Sequence, residues 1–392
     1  MPNLALKWKN VAATDFADNS TLQAAWDRLN ALHGDLPFLT ADVVISALKI
    51  FGDNKERLLV AYQGATIAAM LILCRTDAFR WRTFQPSQLP LGAWVAEANL
   101  SLDSLARALL RGPLGLCLGL SVTQVDPHMA ARTVDTPDSQ TLDYVETGWI
   151  DIQGSFDDYW SARGKNLRQN MRKQRAKLAA DNVSLTMQVL HDHADMAGAV
   201  ARYGQMESAG WKAQEGTSIH PDNAQGRFYR ELLEHASQRG EAAVYQYLFN
   251  DKIVSMNLCL QRKGTLVVLK TTYDESIQSV SPAFLLREEE LRQFHAEGKT
   301  KRLEYFGRLM EWHTKWTDQK RMLYHLTVYR WPAIKSFAEA RRHKAEARLA
   351  NQSVAGATKN DSKNDLKDDV KTESSQAAAG KPLDPQRQPA HP

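Results

Sequence analysis

Two stretches of the chain share one pattern of hydrophobic and polar positions. Arg57–Arg75 and Ala243–Arg262 each contain an apolar run, a short polar turn and a second apolar run, and each follows a segment with helical periodicity. A polar turn between two strand-length apolar runs predicts a β-hairpin. When the two stretches are aligned, Met70 falls on Met256. The pattern suggests an internal duplication, although two similar hairpins can also arise by chance.

The second hairpin leads into a strand, a loop and a helix. Thr265–Thr272 contains a continuous apolar run, which predicts a buried central strand. A polar loop, 274–280, precedes a helix that we expect to begin at Ser281 and Pro282, since Ser is a favourable N-cap and Pro a favourable first helical residue. This unit places a helix N-terminus after a central strand, which suits an anion. The same arrangement also occurs where a loop simply connects a strand to a helix and binds no anion.

The remaining segments complete a mixed α/β pattern. We predict strands at Arg302–Phe306 and Met322–Tyr329 and a basic helix at 333–350. Residues 351–392 contain no aromatic side chain and are rich in polar residues and Ala, so we predict that this tail is disordered.

A second basic helix is predicted between Arg163 and Lys177. This run has no acidic residue, and Leu167, Met171 and Leu178 recur at helical spacing on one side. Its basic side suits a phosphorylated donor, an anionic lipid-linked substrate, a membrane surface or a tRNA; a solvated helix face is the alternative.

Composition narrows the class of protein. The 392 residues, 43% of them hydrophobic, allow two ordinary domains, and a net charge of +4 does not indicate nucleic-acid binding by the whole molecule. Three widely spaced cysteines, the lack of a secretory signal pattern and the lack of a long apolar span lead us to expect a soluble cytoplasmic protein. We find no P-loop, hydrolase elbow or zinc-protease motif and expect no metal site.

The order of several short motifs resembles the GNAT-fold acyltransferases linked to cellulose and exopolysaccharide synthesis. The motifs are Glu207–Lys212, Gly216-Thr217, Phe228-Tyr229, Lys270–Glu275 and Ser281–Leu286. These enzymes are similar to the Fem-like, peptide-bridge-forming enzymes, in which two GNAT-like halves share one chain. The resemblance implies a degenerate N-terminal half at 1–150 and an acyltransferase half at 151–332, each a twisted mixed sheet flanked by helices.

The resemblance also implies the position of the acyl donor, an acyl-CoA such as acetyl-CoA. The donor would lie between the strand Thr265–Thr272 and the helix that follows it. The implied donor-binding residues are Lys270, Ser281, Pro282, Ala283, Phe284 and Leu285. The chain departs from the family at this point: the loop contains no glycine, and Ala283 stands where relatives often have Gly.

Acyl transfer needs a proton acceptor, a proton donor for the leaving group and groups that stabilise the oxyanion. Glu207 and Asp274 are the candidate bases, and Tyr273 is the candidate acid. Lys212 and Lys270 could hold phosphate or an anionic sugar. Surface ion pairs and core packing are the alternative interpretations of these residues.

A second candidate patch follows Gly307. Together with Trp211 and Lys212 earlier in the chain, the candidate acceptor-binding residues are Arg308, Trp312 and Lys315, the last two in a cluster with His313 and Trp316. Trp faces bind sugar rings, but they also fill cores.

The leading hypothesis is acyl-CoA-dependent N- or O-acylation of a saccharide or cell-envelope precursor in polysaccharide biosynthesis. One alternative is a tRNA-dependent aminoacyl transferase of the cell-wall bridge type. The other is a non-catalytic binding or assembly component. Contact with the inner face of the membrane would run through the basic helix 163–177.

Overall fold

The structure, a computed structural model, describes residues 6–209, 219–220 and 222–344. The first half contains β1 (Lys7–Ala12), α1 (Ser20–Leu32), α2 (Ala41–Phe51), β2 (Arg57–Gln63), β3 (Thr66–Arg75), β4 (Arg80–Thr83), β5 (Trp94–Ala96), α3 (Leu102–Arg111), β6 (Gly119–Val125) and β7 (Ser139–Asp151). The second contains α4 (Phe156–Ser161), α5 (Lys165–Ala180), β8 (Leu185–Leu190), α6 (His193–Ala209), α7 (Ala224–Gln238), β9 (Ala242–Phe249), β10 (Lys252–Arg262), β11 (Thr265–Tyr273), α8 (Pro282–Glu297), β12 (Arg302–Glu304), α9 (Glu311–Thr314) and β13 (Lys320–Tyr329). Residues 332–344 form α10.

The strands form one mixed sheet flanked by helices. Their order is β1-β2-β3-β4-β6-β13-β7-β12-β11-β10-β9-β8, with β5 beside β3. Two of the strand pairs are parallel, β4 with β6 and β11 with β12. The predicted mixed α/β fold is confirmed. The two halves share one continuous sheet, whereas we expected a separate sheet in each.

The sheet is continuous because the last strand of each half lies beside the other half. Strand β7 pairs with β12 on one side and with β13 on the other. Strand β13 in turn pairs with β6. Since the exchange involves backbone hydrogen bonds as well as side chains, neither half completes its sheet without the other.

Both predicted hairpins are present. Their turns use residues that tolerate a positive φ, Gly64 (64°) in the first and Asn250 (53°) in the second. Met70 and Met256 are both fully buried in one core cluster, to which both halves contribute. Helices α2 and α7, which precede the two hairpins, also pack on each other. The two halves are therefore arranged alike, as a duplication predicts.

The predicted basic helix corresponds to α5. Leu167, Met171 and Leu178 are buried in the cluster that also contains Leu285 and Leu291 of α8. Helix α5 therefore covers the same face of the sheet as α8.

Some predicted boundaries differ from the structure. The strand predicted for Arg302–Phe306 ends at Glu304, because the chain turns at Phe306, whose φ is 51°. Helix α10 overlaps the basic helix predicted at 333–350 as far as residue 344. The predicted disordered tail, 351–392, lies outside the described residues.

A buried arginine joins the two halves in the middle of the sheet. Arg321 of β13 donates from Nε to both carboxylate oxygens of Asp126, at 3.0 and 2.9 Å, and its Nη1 lies 3.0 Å from Oε2 of Glu304. Asp126 follows β6 and Glu304 ends β12, so one guanidinium connects strands of both halves. Trp149 and Phe306 lie against the guanidinium, with ring centroids 5.2 and 5.0 Å away. Burial raises the pKa of Glu304 to about 7.

Arg321→Met should lower the free energy of unfolding by about 3–5 kcal/mol, because it leaves two buried carboxylates without their cation. The control is Lys320→Met, the preceding residue, whose exposed side chain pairs with Glu146. That change should cost less than about 1 kcal/mol. Urea denaturation measures both, and equal effects would contradict a central role for Arg321.

Glu304→Gln tests the raised pKa of Glu304. Since the folded state binds this proton more tightly than the unfolded chain does, the stability from Glu304 is complete below the ordinary pKa of 4.5. It is lost as the pH rises to about 7. The glutamine cannot titrate, so the variant does not lose this stability. The difference in free energy of unfolding, variant minus wild type, should therefore rise by about 3 kcal/mol between pH 4.5 and 8. The control is Glu146→Gln, at a half-buried position that pairs with Lys320. A pH-independent difference for Glu304→Gln would contradict the prediction.

Candidate active site

The two parallel strands of the second half, β11 and β12, pair over only three residues, and we call the space between them beyond the last pair the gap. Strand β11 pairs with β12 only from Thr265 to Val267, yet it continues along β10 to Tyr273. After β12, the chain stays with β7 instead, since Tyr305 N–H donates to the carbonyl of Gly148. The second part of β11 therefore borders an opening and not a paired strand.

A β-bulge lies where the gap begins. Leu258 of β10 is opposite Lys270 and Cys259 is opposite Val268, which leaves Leu269 without a partner on β10. A bulge bends its strand and frees backbone groups from the ladder. The backbone at Leu269 is thus free of the β10 ladder beside the gap.

The N-terminus of α8 lies at the open end of the gap. A 3₁₀ turn, Glu275–Val280, connects β11 to α8. The helix begins at Pro282 as predicted, but the Ser281 hydroxyl does not cap it, which corrects the expected side-chain N-cap. Ser281 has a left-handed backbone with a φ of 47°, and its Oγ accepts a 3.1 Å hydrogen bond from Nε2 of Gln174. This contact joins α5 to the start of α8.

Asp274 holds the loop at the end of β11. Its carboxylate accepts hydrogen bonds from Ser276 N–H (3.0 Å), from the Ser276 hydroxyl and from Nζ of Lys252 (2.7 Å). The hydrogen bonds from Lys252 and Ser276 hold the pKa of Asp274 below its usual value. This environment favours positioning over proton acceptance, and the role of Asp274 as a base stays a prediction.

Glu207 lies in a buried polar cluster on the opposite side of β11 from α8. Its Oε2 accepts a 2.7 Å hydrogen bond from Ile219 N–H. Gly204, one turn earlier in α6, permits this approach, because a Cβ there would lie 2.6 Å from the Ile219 carbonyl oxygen. Tyr203 lies 3.5 Å from Oε1 of Glu207. The carboxylate is therefore held by Tyr203 of its own helix and by the backbone of Ile219.

Lys270 joins this cluster from the sheet. Its Nζ is 5.6 Å from the ring centroid of Tyr229. Burial lowers the pKa of Lys270, and the nearby charge of Glu207 opposes that shift. The structure thus brings together two predicted site residues. The sequence did not lead us to propose Tyr203 or Tyr229 as site residues. Tyr229 belongs to the Phe228-Tyr229 motif, and Tyr203 precedes Glu207 by one helical turn, so both positions offered a signal.

An open cleft lies beside this cluster, between α6, the β9–β10 turn and the end of β11. Its volume is about 570 Å³, and Met206 and Met256 contribute to its lining. Its charged lining residues are Arg202, Asp251, Lys252, Asp274 and Glu275. Both signs of charge therefore face the cleft. Trp211 and Lys212, two of the predicted acceptor-binding residues, lie outside the described residues.

Tyr273 ends β11 and is half-buried. Burial raises the pKa of its phenol, so it stays protonated at neutral pH. A protonated phenol can donate to a leaving group. Its role as an acid stays a prediction.

The second predicted patch divides between core and surface. Trp316 is fully buried, and the Trp312 ring stacks on His313 with centroids 3.5 Å apart. Lys315 pairs with Glu311 at 3.4 Å. Trp312 and Trp316 pack on the α8 side of the sheet, whereas Tyr203 and Tyr229 pack on the other side. The structure therefore does not bring Trp312 together with Glu207. Arg308 lies near Tyr144: burial raises the pKa of that phenol, and the charge of Arg308 opposes the shift.

Within the described residues, no three His, Cys, Asp or Glu side chains are grouped as a metal site would require. No helix in that part of the chain is both long and apolar enough to cross a membrane.

Comparison with known proteins assigns the second half to a class. Residues 165–312 match the family model described as an acetyltransferase (GNAT) domain, and no curated protein matches the chain. The matched segment contains α5, the bulged strand, the gap and α8. For residues 165–312, this match confirms the predicted GNAT fold and acyltransferase class.

Solved structures resemble the chain at low sequence identity. The C-terminal domain of a putative lysylphosphatidylglycerol synthetase from Agrobacterium fabrum is 12% identical with a TM-score of 0.50, over 79% of this chain and 93% of that one. A tandem GNAT protein from the clavulanic acid biosynthesis pathway is 12% identical (TM-score 0.42; 82% and 98% covered). FemX is 8% identical (TM-score 0.44; 70% and 88% covered). At 12% identity, the likeness to the synthetase domain is evidence for the fold alone.

Glu207→Gln should lower the pKa of Lys270 further, because it removes the charge that opposes the effect of burial. NMR titration of ¹³C-methylated lysines, with Lys270→Arg to assign the signal, measures this pKa. Asp192→Asn, at an exposed position just before α6, is the control and should leave it unchanged. An unchanged or higher pKa in Glu207→Gln would show that the two charges do not interact.

Proposed function

We propose that the second half transfers an acyl group from an acyl-CoA thioester to an amine or hydroxyl of a polar acceptor. The observation that carries the proposal is the gap between β11 and β12, with a bulge at one end and the start of α8 at the other. A thioester arm laid along the free side of β11 would meet unpaired backbone there. The nucleotide end of the donor would lie near Ser281.

The chemistry follows from the groups at the gap. The acceptor nitrogen or oxygen attacks the thioester carbonyl, the new C–N or C–O bond forms, and the C–S bond breaks. The backbone N–H at the Leu269 bulge would stabilise the oxyanion, since the β10 ladder does not use this residue. Glu207 is the candidate to receive the proton of the nucleophile, and Tyr273 is the candidate to protonate the thiolate.

The acceptor would enter from the α6 side through the 570 Å³ cleft. Arg202 and Lys252 offer positive charge, and Asp251 and Glu275 offer negative charge, so the cleft suits a small molecule with several polar groups. A saccharide or cell-envelope precursor in polysaccharide biosynthesis, the acceptor implied by the resemblance, fits this description and is the first class to test. The charges of both signs favour an acceptor that carries both an amine and an acidic group, such as an amino sugar with an acidic substituent.

Thr271→Trp should abolish binding of acyl-CoA, because the indole would fill the gap on its α8 side. Thr271 lies beyond the last residue of β11 that pairs with β12, and its partner Asn257 bonds to Glu290 of α8. Isothermal titration with acetyl-CoA and longer acyl thioesters measures the loss. Thr186→Trp, at an exposed position of the edge strand β8, is the control and should bind like the wild type.

Two results would contradict this proposal. One is wild-type protein that neither binds nor consumes any acyl thioester. The other is a folded Thr271→Trp variant, verified by its melting temperature, that binds acyl-CoA with wild-type affinity.

Transfer of an aminoacyl group from a charged tRNA is the second candidate. The basic face of α5 favours it, since polyanions bind clusters of Lys and Arg. It predicts transfer of label from aminoacyl-tRNA with a steep dependence on salt. Activity with free thioesters that salt does not affect would exclude it.

A further inference from the structure

Helix α5 carries more positive charge than its protein neighbours neutralise. It contains six cations and no acid, at positions Lys165, Arg168, Arg172, Lys173, Arg175 and Lys177. Arg175 pairs with Glu288 at 3.1 Å and with Glu289 at 3.7 Å, and Nε of Arg168 donates to the carbonyl of Arg163. Lys165, Arg172, Lys173 and Lys177 are exposed and form no ion pair within the part of the chain that the structure describes.

The position of this charge relative to the gap is fixed by two contacts. Gln174 bonds to the Ser281 hydroxyl, and Arg175 pairs with Glu288. Helix α5 therefore lies across the first two turns of α8, at the end where the gap opens. This location places the part of the basic face nearest Gln174 beside the candidate active site.

The four exposed cations occupy two different edges of α5. At about 100° per residue around α5, Lys177 and Lys173 lie about 60° and about 100° from Gln174, on the side away from Arg175 and towards Ser281. Arg172 and Lys165 lie on the other side of the helix, beyond Arg175. Of these four cations, Lys173 and Lys177 are therefore the two on the side of α5 that faces the start of α8.

The start of α8 by itself offers little to a phosphate. The preceding loop has no glycine, and Pro282 has no N–H. The N–H groups of Phe284 and Leu285 already donate to the carbonyl of Ser281. Charge for an anionic ligand must therefore come from side chains nearby.

We propose that Lys173 and Lys177 bind the phosphate groups at the nucleotide end of the CoA donor, in place of a glycine-rich phosphate loop. The inference rests on the proposed function and deepens it, because it assigns the phosphate-binding residues to a helix outside the usual strand-loop-helix unit. A nucleic acid or a membrane would engage the whole exposed face of α5, including Lys165 and Arg172. The phosphates of a donor seated in the gap would reach only the edge beside Ser281.

The test compares two double variants with the same change of charge on the same helix. Lys173→Gln with Lys177→Gln should weaken CoA binding about tenfold or more, as expected for loss of charge-assisted phosphate contacts. Lys165→Gln with Arg172→Gln is the matched control and should stay within about twofold of the wild type. All four side chains are exposed, so both proteins should melt like the wild type.

The ligand series separates the phosphates from the rest of the donor. Isothermal titration is run with CoA, 3′-dephospho-CoA and pantetheine at several salt concentrations. The Lys173/Lys177 variant should bind pantetheine like the wild type and should show a weaker salt dependence for CoA. A loss that persists with 3′-dephospho-CoA assigns the lysines to the pyrophosphate, and one that disappears assigns them to the 3′-phosphate; either supports the proposal.

Other outcomes would overturn it. If the wild type binds CoA and the Lys173/Lys177 variant binds it equally well, this inference fails and the proposed function stands. If both double variants lose binding of tRNA or of phosphatidylglycerol vesicles while CoA binding is unchanged, the face serves a polyanion instead. If the wild type binds no thioester and transfers no acyl group, the proposed function fails first and this inference fails with it.

Discussion

The structure depends on the exchange of β7 and β13 between the two halves. These strands pair with each other and with one strand of the opposite half, so a single sheet runs through the molecule. Arg321 fixes the crossing by holding Asp126 from one half and Glu304 from the other. A buried cation with two carboxylates is strongly selective for one arrangement, because any shift of register would leave a charge unpaired.

This crossing also sets the position of the gap. Strand β12 is three residues long, and β7 continues to hold the chain beyond it through Tyr305. Strand β11 is held on its other side by β10 as far as Tyr273. Two parallel strands that are each fixed by an outer neighbour separate where their own pairing ends. The opening of the candidate active site therefore follows from the sheet topology and not from a particular side chain.

In the proposed reaction, the two faces of the sheet hold different parts of the site. The α6 face carries the Glu207 and Lys270 cluster and the cleft with mixed charge. The opposite face carries α8, with α5 across its first turns. A donor between these faces would present its thioester to one side and its phosphates to the other. The first half contributes β7 and part of the central core beside the residues that match the GNAT domain.

The sequence alone predicted what depends on local pattern. Both hairpins, the central strand, the start of α8 at Pro282 and the buried stripe of α5 follow from periodicity and turn residues, which act over a few positions. Only the tertiary structure revealed the strand exchange, the three-residue β12 and the contact of Gln174 with Ser281, since these join residues more than 100 positions apart. Glu207 and Lys270 were likewise predicted separately, while their shared cluster with Tyr203 and Tyr229 appeared only when α6, α7 and β11 packed together.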